Sequence, residues 1–156
     1  MKVLTILGTS ASLNDDIRKY GIVGDVMAVN RTIMDYTGRI KYAVSVHPEL
    51  VELFMQYRRI IQANVDDVVV RTGAGTGINT SGLLALVTAQ QVGYDEVRVL
   101  GLSADSSGHY YDLYTAGREN FESKFPFDND EWLDKINNWS NVKVASGNLS
   151  RLFPNL

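Results

Sequence analysis

Residues 108–114 bring together side chains that can do chemistry: an imidazole, three phenols and a carboxylate within seven positions. Histidine exchanges protons near neutral pH, so we take His109 as the better proton-transfer candidate of the two histidines. Tyrosine rings can stack on a base or a sugar, and their hydroxyls can reach a phosphate. The segment therefore supplies three site candidates: His109, Tyr110 and Tyr111. The alternative is a lid, in which these rings pack on Phe121, Phe125 and Phe127.

Two glycine-bearing loops offer backbone N–H groups to an anion. The first, residues 8–13, follows the apolar run 3–7 and contains Gly8, Thr9 and Ser10. Small residues let N–H groups approach a phosphate closely, although this loop is neither a GxGxxG nor a Walker motif. The second loop, residues 72–79, has three glycines at alternate positions and leads into a helix that begins near Ser81 and Gly82. The positive end of such a helix can hold an anion. Each loop has a plain alternative, a strand-to-helix turn for the first and a mobile connector for the second.

Asn30 stands at the tip of the strand-like run 25–30. Its amide both donates and accepts hydrogen bonds, so it could pair with the edge of a base or a ribose. An Asx-type turn into the following residues is the alternative interpretation.

The elements that would position these residues alternate along the chain. Short apolar, β-branched runs at 3–7, 25–30, 42–46, 67–71, 97–100 and 142–145 are typical of buried strands. Helical patterns at 14–20, 49–63, 81–92 and 131–138 separate most of them. This alternation predicts an α/β fold: one domain over residues 1–156, with a doubly wound, mostly parallel Rossmann-like sheet of about six strands and helices on both faces. Ligands bind at the carboxyl ends of such strands, where all the candidates above fall.

Composition excludes several classes of protein. The chain has no cysteine, which rules out disulfides and thiolate metal sites. Fifteen basic and eighteen acidic residues give a net charge of −3 with no long basic run, so nucleic acid is not an expected partner. No apolar stretch approaches the length of a membrane span, and we expect a cytoplasmic protein. A homo-oligomer is compatible with these properties.

Several short motifs, in order along nearly the whole chain, resemble one group of enzymes. The similarity is to bacterial lipooligosaccharide-type sialyltransferases and the related Rossmann-like motility-accessory-factor glycosyltransferases and hydroxymethylpterin pyrophosphokinases. The matching segments are Gly8-Thr9-Ser10-Ala11-Ser12-Leu13, Val29-Asn30-Arg31, Ser81-Gly82, Gly93-Tyr94-Asp95-Glu96-Val97, Leu100-Gly101-Leu102-Ser103 and Asn148-Leu149-Ser150. Ser103 stands where the group's motif usually has an acidic residue, and Asp105 follows two positions later.

The resemblance implies a site for CMP-sialic acid that needs no metal or other cofactor. It would place Thr9, Ser10 and Asn30 near the nucleotide, and Ser81 and Gly82 beside its phosphate or sugar. Tyr110 or Tyr111 would contact the phosphate and help it to leave.

The leading hypothesis is therefore a glycosyltransferase-like protein that binds a nucleotide or nucleotide-sugar, with the CMP-sugar type favoured. If it catalyses transfer, anion-binding amides and tyrosine hydroxyls would stabilise the departing phosphate, and His109 or Asp105 would deprotonate the acceptor. The alternatives are a non-catalytic Rossmann module that binds a nucleotide or a protein and, ranked lower, a metal-dependent pyrophosphokinase.

Overall fold

The computed structural model describes residues 1–102, 108–112 and 139–156. It contains one six-stranded sheet, with strands β1 (Val3–Leu7), β2 (Asp25–Val29), β3 (Tyr42–Ser45), β4 (Val69–Thr72), β5 (Glu96–Leu100) and β6 (Val142–Val144). The helices are α1 (Leu13–Tyr20), α2 (Thr32–Asp35), α3 (Pro48–Ile61) and α4 (Ser81–Val92), with 3₁₀ turns at Val65–Asp67 and Asn148–Arg151. Asp105, the helix expected at 131–138 and the three phenylalanines of the suggested lid lie outside the described residues.

The strand order is β4-β3-β2-β1-β5-β6, and every neighbouring pair is parallel. The predicted α/β, Rossmann-like sheet is thus confirmed. Alternate side chains of the strands feed two separate cores, as expected for a sheet covered on both faces. One core holds Leu83 and Leu86 of α4, and the other holds Leu13 of α1, Ile33 of α2 and Phe54 of α3. Helices therefore cover both faces.

The order in which strands are added to the sheet reverses between β1 and β5. Strands β1 to β4 are added outward on one side, and β5 then returns to pair with β1, with Leu7 opposite Leu100. This is the topological switch point at which such folds form a crevice. The floor of the crevice is tight, because a Cβ atom on Gly8 would lie only 2.2 Å from the Gly101 carbonyl oxygen.

Two buried charged residues fix loops at opposite edges of the sheet. Asp16 of α1 is 6% exposed, and its Oδ2 accepts hydrogen bonds from the Gly101 N–H (2.9 Å) and the Ser12 hydroxyl (3.0 Å). Arg58 of α3 is 1% exposed. Its guanidinium donates to Gln62 Oε1 and to the backbone carbonyls of the turn that follows α2, those of Tyr36 and Gly38. Burial lowers the pKa of Arg58.

The short α4 is apolar around most of its circumference, and eight of its residues are buried. It begins after Thr80 and ends at Gly93, whose φ of 76° gives the left-handed cap that glycine favours. Among the described helices, none has the length and apolarity that a bilayer crossing requires.

Candidate functional site

A cavity of about 720 Å³ opens at the carboxyl edge of the sheet. The ends of β1, β2 and β3, the start of α4 and the segment 108–112 surround it, and α3 forms its far wall. Its polar lining residues are Thr9, Asn30, Arg31, His47, Asn79, Thr80, Ser81, His109 and Tyr111, and its apolar ones include Met34, Leu50, Leu53, Phe54, Tyr57 and Leu102. A volume of this size is typical of small-molecule sites.

Basic but not acidic side chains line the described part of this cavity. The chain carries 18 acidic residues, yet no aspartate or glutamate occurs among the described residues that line the cavity. Its lining instead includes Arg31 and both histidines of the chain, His47 and His109. Each of these three side chains has a carboxylate within 4 Å that lies outside the lining, on Asp35, Glu49 and Asp112 respectively. The groups that face the cavity are thus hydrogen-bond donors suited to an anion, and acidic partners lie behind them.

The amino end of α4 reaches the cavity with polar groups that the described residues leave without a partner. The first N–H groups of a helix have no intrahelical acceptor. Thr80, the residue before the helix, makes no side-chain capping bond there, and its buried Oγ1 has no hydrogen-bond partner within the described part of the chain. The Ser81 hydroxyl is held in place, because it accepts the Val46 N–H at 3.0 Å. Both the helix end and the threonine hydroxyl can thus serve a ligand.

Asn30 has a second polar atom of this kind. Its φ of 53° is left-handed, the one such value for a non-glycine residue in the described ranges. The turn into α2 is closed by the Asn30 backbone carbonyl, which accepts the Ile33 N–H at 2.9 Å. The side-chain Oδ1 is buried and, across those same ranges, without a hydrogen-bond partner. The Asx turn, our alternative interpretation, would have used this atom. Non-glycine residues in this conformation cluster at functional sites.

The glycine-bearing loop after β1 uses its own amides within the protein. The N–H groups of Gly8, Ser10 and Ala11 donate to the carbonyls of Leu100 (2.9 Å), Gly101 (2.8 Å) and Gly108 (3.0 Å). The Gly8 carbonyl accepts the Thr32 hydroxyl at 2.7 Å. These bonds join the loop to the end of β5 and to the segment 108–112. Of the two loops, the one before α4 is thus the better placed to offer donors to an anion.

The segment 108–112 lies along the cavity because several bonds tie it down. Ser10 and His109 form an antiparallel β-bridge, and the Tyr110 N–H donates to the Thr9 carbonyl at 3.0 Å. The Tyr110 hydroxyl donates to Asp35 Oδ2 at 2.5 Å. Burial, and then this bond, raise the pKa of Tyr110. The Tyr110 side chain consequently points away from the cavity and lines a second, open cleft of about 830 Å³.

Three side chains stack into a wall between the cavity and this second cleft. The Arg31 guanidinium lies 4.9 Å from the centre of the Tyr111 ring, and that ring stacks on the His109 imidazole at 4.8 Å with 14° between the planes. Asp35 accepts a hydrogen bond from Arg31 Nε at 3.0 Å. His109 Nδ1 lies 3.4 Å from Asp112 Oδ1. Asp112 is held there through its other oxygen, because Oδ2 accepts the His109 backbone N–H at 2.7 Å. The carboxylate thus lies beside the imidazole without a hydrogen bond between Nδ1 and Oδ1.

The structure brings six of the predicted site residues together around the cavity: Thr9, Asn30, Ser81, Gly82, His109 and Tyr111. Gly8, Ser10 and Tyr110 lie next to it, in the bonds that support it, and Asp105 lies outside the described residues. Gly82 has a packing role as well, since a Cβ there would lie 2.8 Å from Leu102 Cδ1.

Sequence reasoning missed Arg31, Asp35, Thr80 and Asp112 as contributors to the site. The spacing of Arg31 and Asp35, four residues apart, indicates a helical ion pair. It does not indicate that Asp35 bonds to Tyr110 or that Arg31 stacks on Tyr111. In the residues that the structure describes, no group of three histidine or acidic side chains is arranged to hold a metal ion.

Comparison of the chain with protein-family models, with curated proteins and with solved structures finds no significant match. The function of this chain therefore has to be inferred from the site itself.

Proposed function

We propose that this protein binds a nucleotide or nucleotide-sugar in the cavity at the carboxyl edge of its Rossmann-like sheet. The observation that carries the proposal is the cavity's lining. Among the described residues it has no carboxylate, it includes one guanidinium and two imidazoles, and two of its buried oxygen atoms, Asn30 Oδ1 and Thr80 Oγ1, are left unpaired by the described chain. An anionic ligand rich in hydroxyl and carbonyl groups would satisfy both features. Nucleotides and their sugar conjugates are ligands of that kind.

The cavity has both apolar and polar lining residues, which suggests how such a ligand would be held. Met34, Leu50 and Phe54 form an apolar wall on which a base can pack. Phosphate oxygens can accept from the backbone N–H groups at the start of α4 and from the Arg31 guanidinium, which also line the cavity. Arg31 retains donors for this purpose, because a guanidinium has five and Asp35 accepts the one on Nε.

For catalysis, the proposal is glycosyl transfer of the kind that the motif resemblance suggests. The acceptor hydroxyl oxygen would bond to the anomeric carbon while the bond from that carbon to the phosphate oxygen breaks, and the phosphate oxygen would keep the electron pair. His109, whose imidazole lies beside the Asp112 carboxylate, would take the acceptor's proton. Arg31, the α4 amides and the Tyr111 hydroxyl would stabilise the charge on the leaving phosphate.

A binding experiment on the whole chain tests the first step. Thermal shift and calorimetry with CMP, CDP, UDP, GDP and ATP, with and without Mg²⁺, should show binding of at least one of these ligands without metal. Thr80→Val should weaken that binding about tenfold or more, because one hydrogen bond is lost. It should not lower the free energy of unfolding, since the hydroxyl has no partner among the described residues. Thr72→Val, the same change outside the cavity, is the control.

The outcomes separate the alternatives. Binding that requires ATP and Mg²⁺ would favour a kinase, and no binding by any of the five nucleotides would contradict the proposal. If CMP binds but His109→Ala leaves turnover of a CMP-sugar unchanged, the proposed base is wrong. If CMP binds and no CMP-sugar is turned over, the protein is a binding module, which is the alternative function.

A further inference from the structure

An apolar face of α3 begins inside the cavity and continues to its mouth. The face consists of Leu50, Leu53, Phe54 and Tyr57, which all line the cavity. These residues follow one another at intervals of three, one and three positions, so they share one face of the helix. Leu53 and Tyr57 are also 44% and 53% exposed. The wall of the cavity is thus apolar up to the point where it meets solvent.

Beyond the mouth, the same face of the helix carries two isoleucines. Ile60 and Ile61 follow Tyr57 by three and four positions, which is the spacing of neighbours on a helix surface. They are 79% and 43% exposed, and neither lines the cavity. We call Leu53, Tyr57, Ile60 and Ile61 the apolar track, which extends about 12 Å along the helix. Among the described residues, four of the seven exposed large apolar side chains belong to it, and such clustering marks a binding surface.

A nucleobase accounts for only part of this surface. A base packed on Met34, Leu50 and Phe54 would leave Ile60 and Ile61 uncovered, since these two lie outside the cavity. A base also has polar edges that need hydrogen-bond partners once water is removed, and isoleucine offers none. A hydrocarbon chain needs no such partner, and its burial is favourable along the whole track. The track therefore suits a hydrocarbon chain that starts in the cavity.

We infer that the cavity takes a phosphate monoester of a hydrocarbon alcohol, with its phosphate at the start of α4 and Arg31 and its chain on the apolar track. The cavity links the two parts, because Arg31, Thr80 and Ser81 line it together with Leu53 and Tyr57. The inference rests on the proposed function for the anion subsite alone, since the chain would contact α3.

The charges on α3 favour one dispersed amphiphile over a bilayer surface. Glu49, Glu52 and Arg59 are exposed on this helix, whereas Arg58, its remaining charged residue, is buried. The exposed charges are thus two negative and one positive. Helices that lie on a bilayer carry a basic polar face, which the anionic lipids attract. This helix has no such face.

Calorimetry on the whole chain with ethyl, butyl, hexyl and octyl phosphate, each below the concentration at which it forms micelles, tests the inference. The affinity should rise about twofold for each added CH₂ group, less than for complete burial, because one side of the chain stays in water. An affinity that does not change with chain length would overturn the inference.

A substitution on the track tests where the chain lies. Ile60→Ser should lower the ratio of the octyl to the ethyl phosphate affinity about threefold or more, because the chain loses an apolar contact. It should not lower the free energy of unfolding, since the side chain is 79% exposed. Val23→Ser, at an exposed apolar residue outside the track, is the control and should leave the ratio unchanged. A ratio that Ile60→Ser does not alter would place the chain elsewhere and overturn the inference.

The outcomes separate this inference from the proposed function. Length-dependent binding of the alkyl phosphates without binding of any nucleotide would support the inference and contradict the nucleotide. Binding of CMP without any dependence on chain length would do the reverse. Co-sedimentation with phosphatidylcholine vesicles that contain phosphatidic acid would assign the track to a membrane. A concentration-dependent dimer that Ile60→Ser abolishes would assign it to a second copy, and either of these last two results would overturn the inference.

Discussion

The Tyr110 hydroxyl donates to Asp35 Oδ2 at 2.5 Å, and so joins two residues that are 75 positions apart in the chain. This bond fastens the segment 108–112 to α2. Asp35 also accepts from Arg31, so a single carboxylate holds both Arg31 and the residue between His109 and Tyr111, the two rings on which Arg31 stacks in turn. The wall of the candidate site thus depends on a residue that does not line its cavity.

Removing this bond should affect both stability and binding. Tyr110→Phe should lower the free energy of unfolding by about 1 kcal/mol, the usual value for one hydrogen bond. It should also weaken nucleotide binding, because His109 and Tyr111 lose the anchor beside them. Urea unfolding and a CMP titration measure the two effects. Tyr20→Phe, on α1 away from both openings, is the matched control, and equal effects of the two changes would contradict the role of Asp35.

Two tyrosines should make the protein sensitive to alkaline pH. Burial and the bond to Asp35 raise the pKa of Tyr110, and burial and the bond to Asp25 raise that of Tyr94. Their protons stay on in the folded protein after the unfolded chain has lost them. The free energy of unfolding should therefore fall as the pH rises through about 10, the ordinary tyrosine value. Denaturant unfolding from about pH 8 to about pH 10.5 should show this slope, and a smaller one for Tyr94→Phe. Identical slopes for the two proteins would refute the assignment.

The buried guanidinium of Arg58 should be indispensable to the fold. Arg58→Met should cost about 3 kcal/mol or more, because the carbonyls of Tyr36 and Gly38 and the Gln62 side chain lose a buried donor. Arg58→Lys should also destabilise the protein, since one ammonium cannot replace the planar fork. Arg59→Lys, a change at the exposed next residue, should alter the stability by less than about 0.5 kcal/mol. A tolerated Arg58→Lys would show that the turn after α2 does not need this fork.

The contact between Gly8 and Gly101 predicts an unequal response at two glycines. A Cβ on Gly8 would approach the Gly101 oxygen to 2.2 Å, and both atoms belong to the backbone, so strands β1 and β5 would have to separate. Gly8→Ala should therefore cost about 3 kcal/mol or more. Gly93 has a left-handed backbone (φ 76°, ψ 54°) and open space around it, so Gly93→Ala should cost only about 1 kcal/mol. Chemical unfolding of both variants measures the difference, and equal losses would count against a strained floor of the cavity.

Much of the fold could be predicted from the sequence because each strand is a short apolar run with a clear end. Gly8, Asn30 and Gly93 each mark the point where a regular element stops, and strand ends in a parallel sheet meet at one edge. That rule alone brought Thr9, Asn30 and Ser81 into one group before any coordinates.

The rest depends on side-chain directions, which local sequence does not determine. Arg58 and Arg59 are adjacent and chemically identical, yet one is buried and the other exposed, because α3 turns one of them toward the sheet. Asp16 looks like an ordinary acidic residue in a first helical turn, whereas it holds the Gly101 N–H. Tyr110 and Tyr111 differ in the same way, since neighbouring side chains of the bridge at Ser10 and His109 point to opposite sides.

The left-handed backbone of Asn30 separates two kinds of selection that usually act together. Only glycine, asparagine and aspartate adopt this conformation readily, so folding by itself would accept three amino acids here. Glycine meets the demands of the main chain but has no amide, and aspartate would bring a negative charge to a cavity suited to anions. A library with every amino acid at this position can be sorted once for folding and once for ligand binding. The two sorts would separate selection for the backbone conformation from selection for ligand recognition at a single codon.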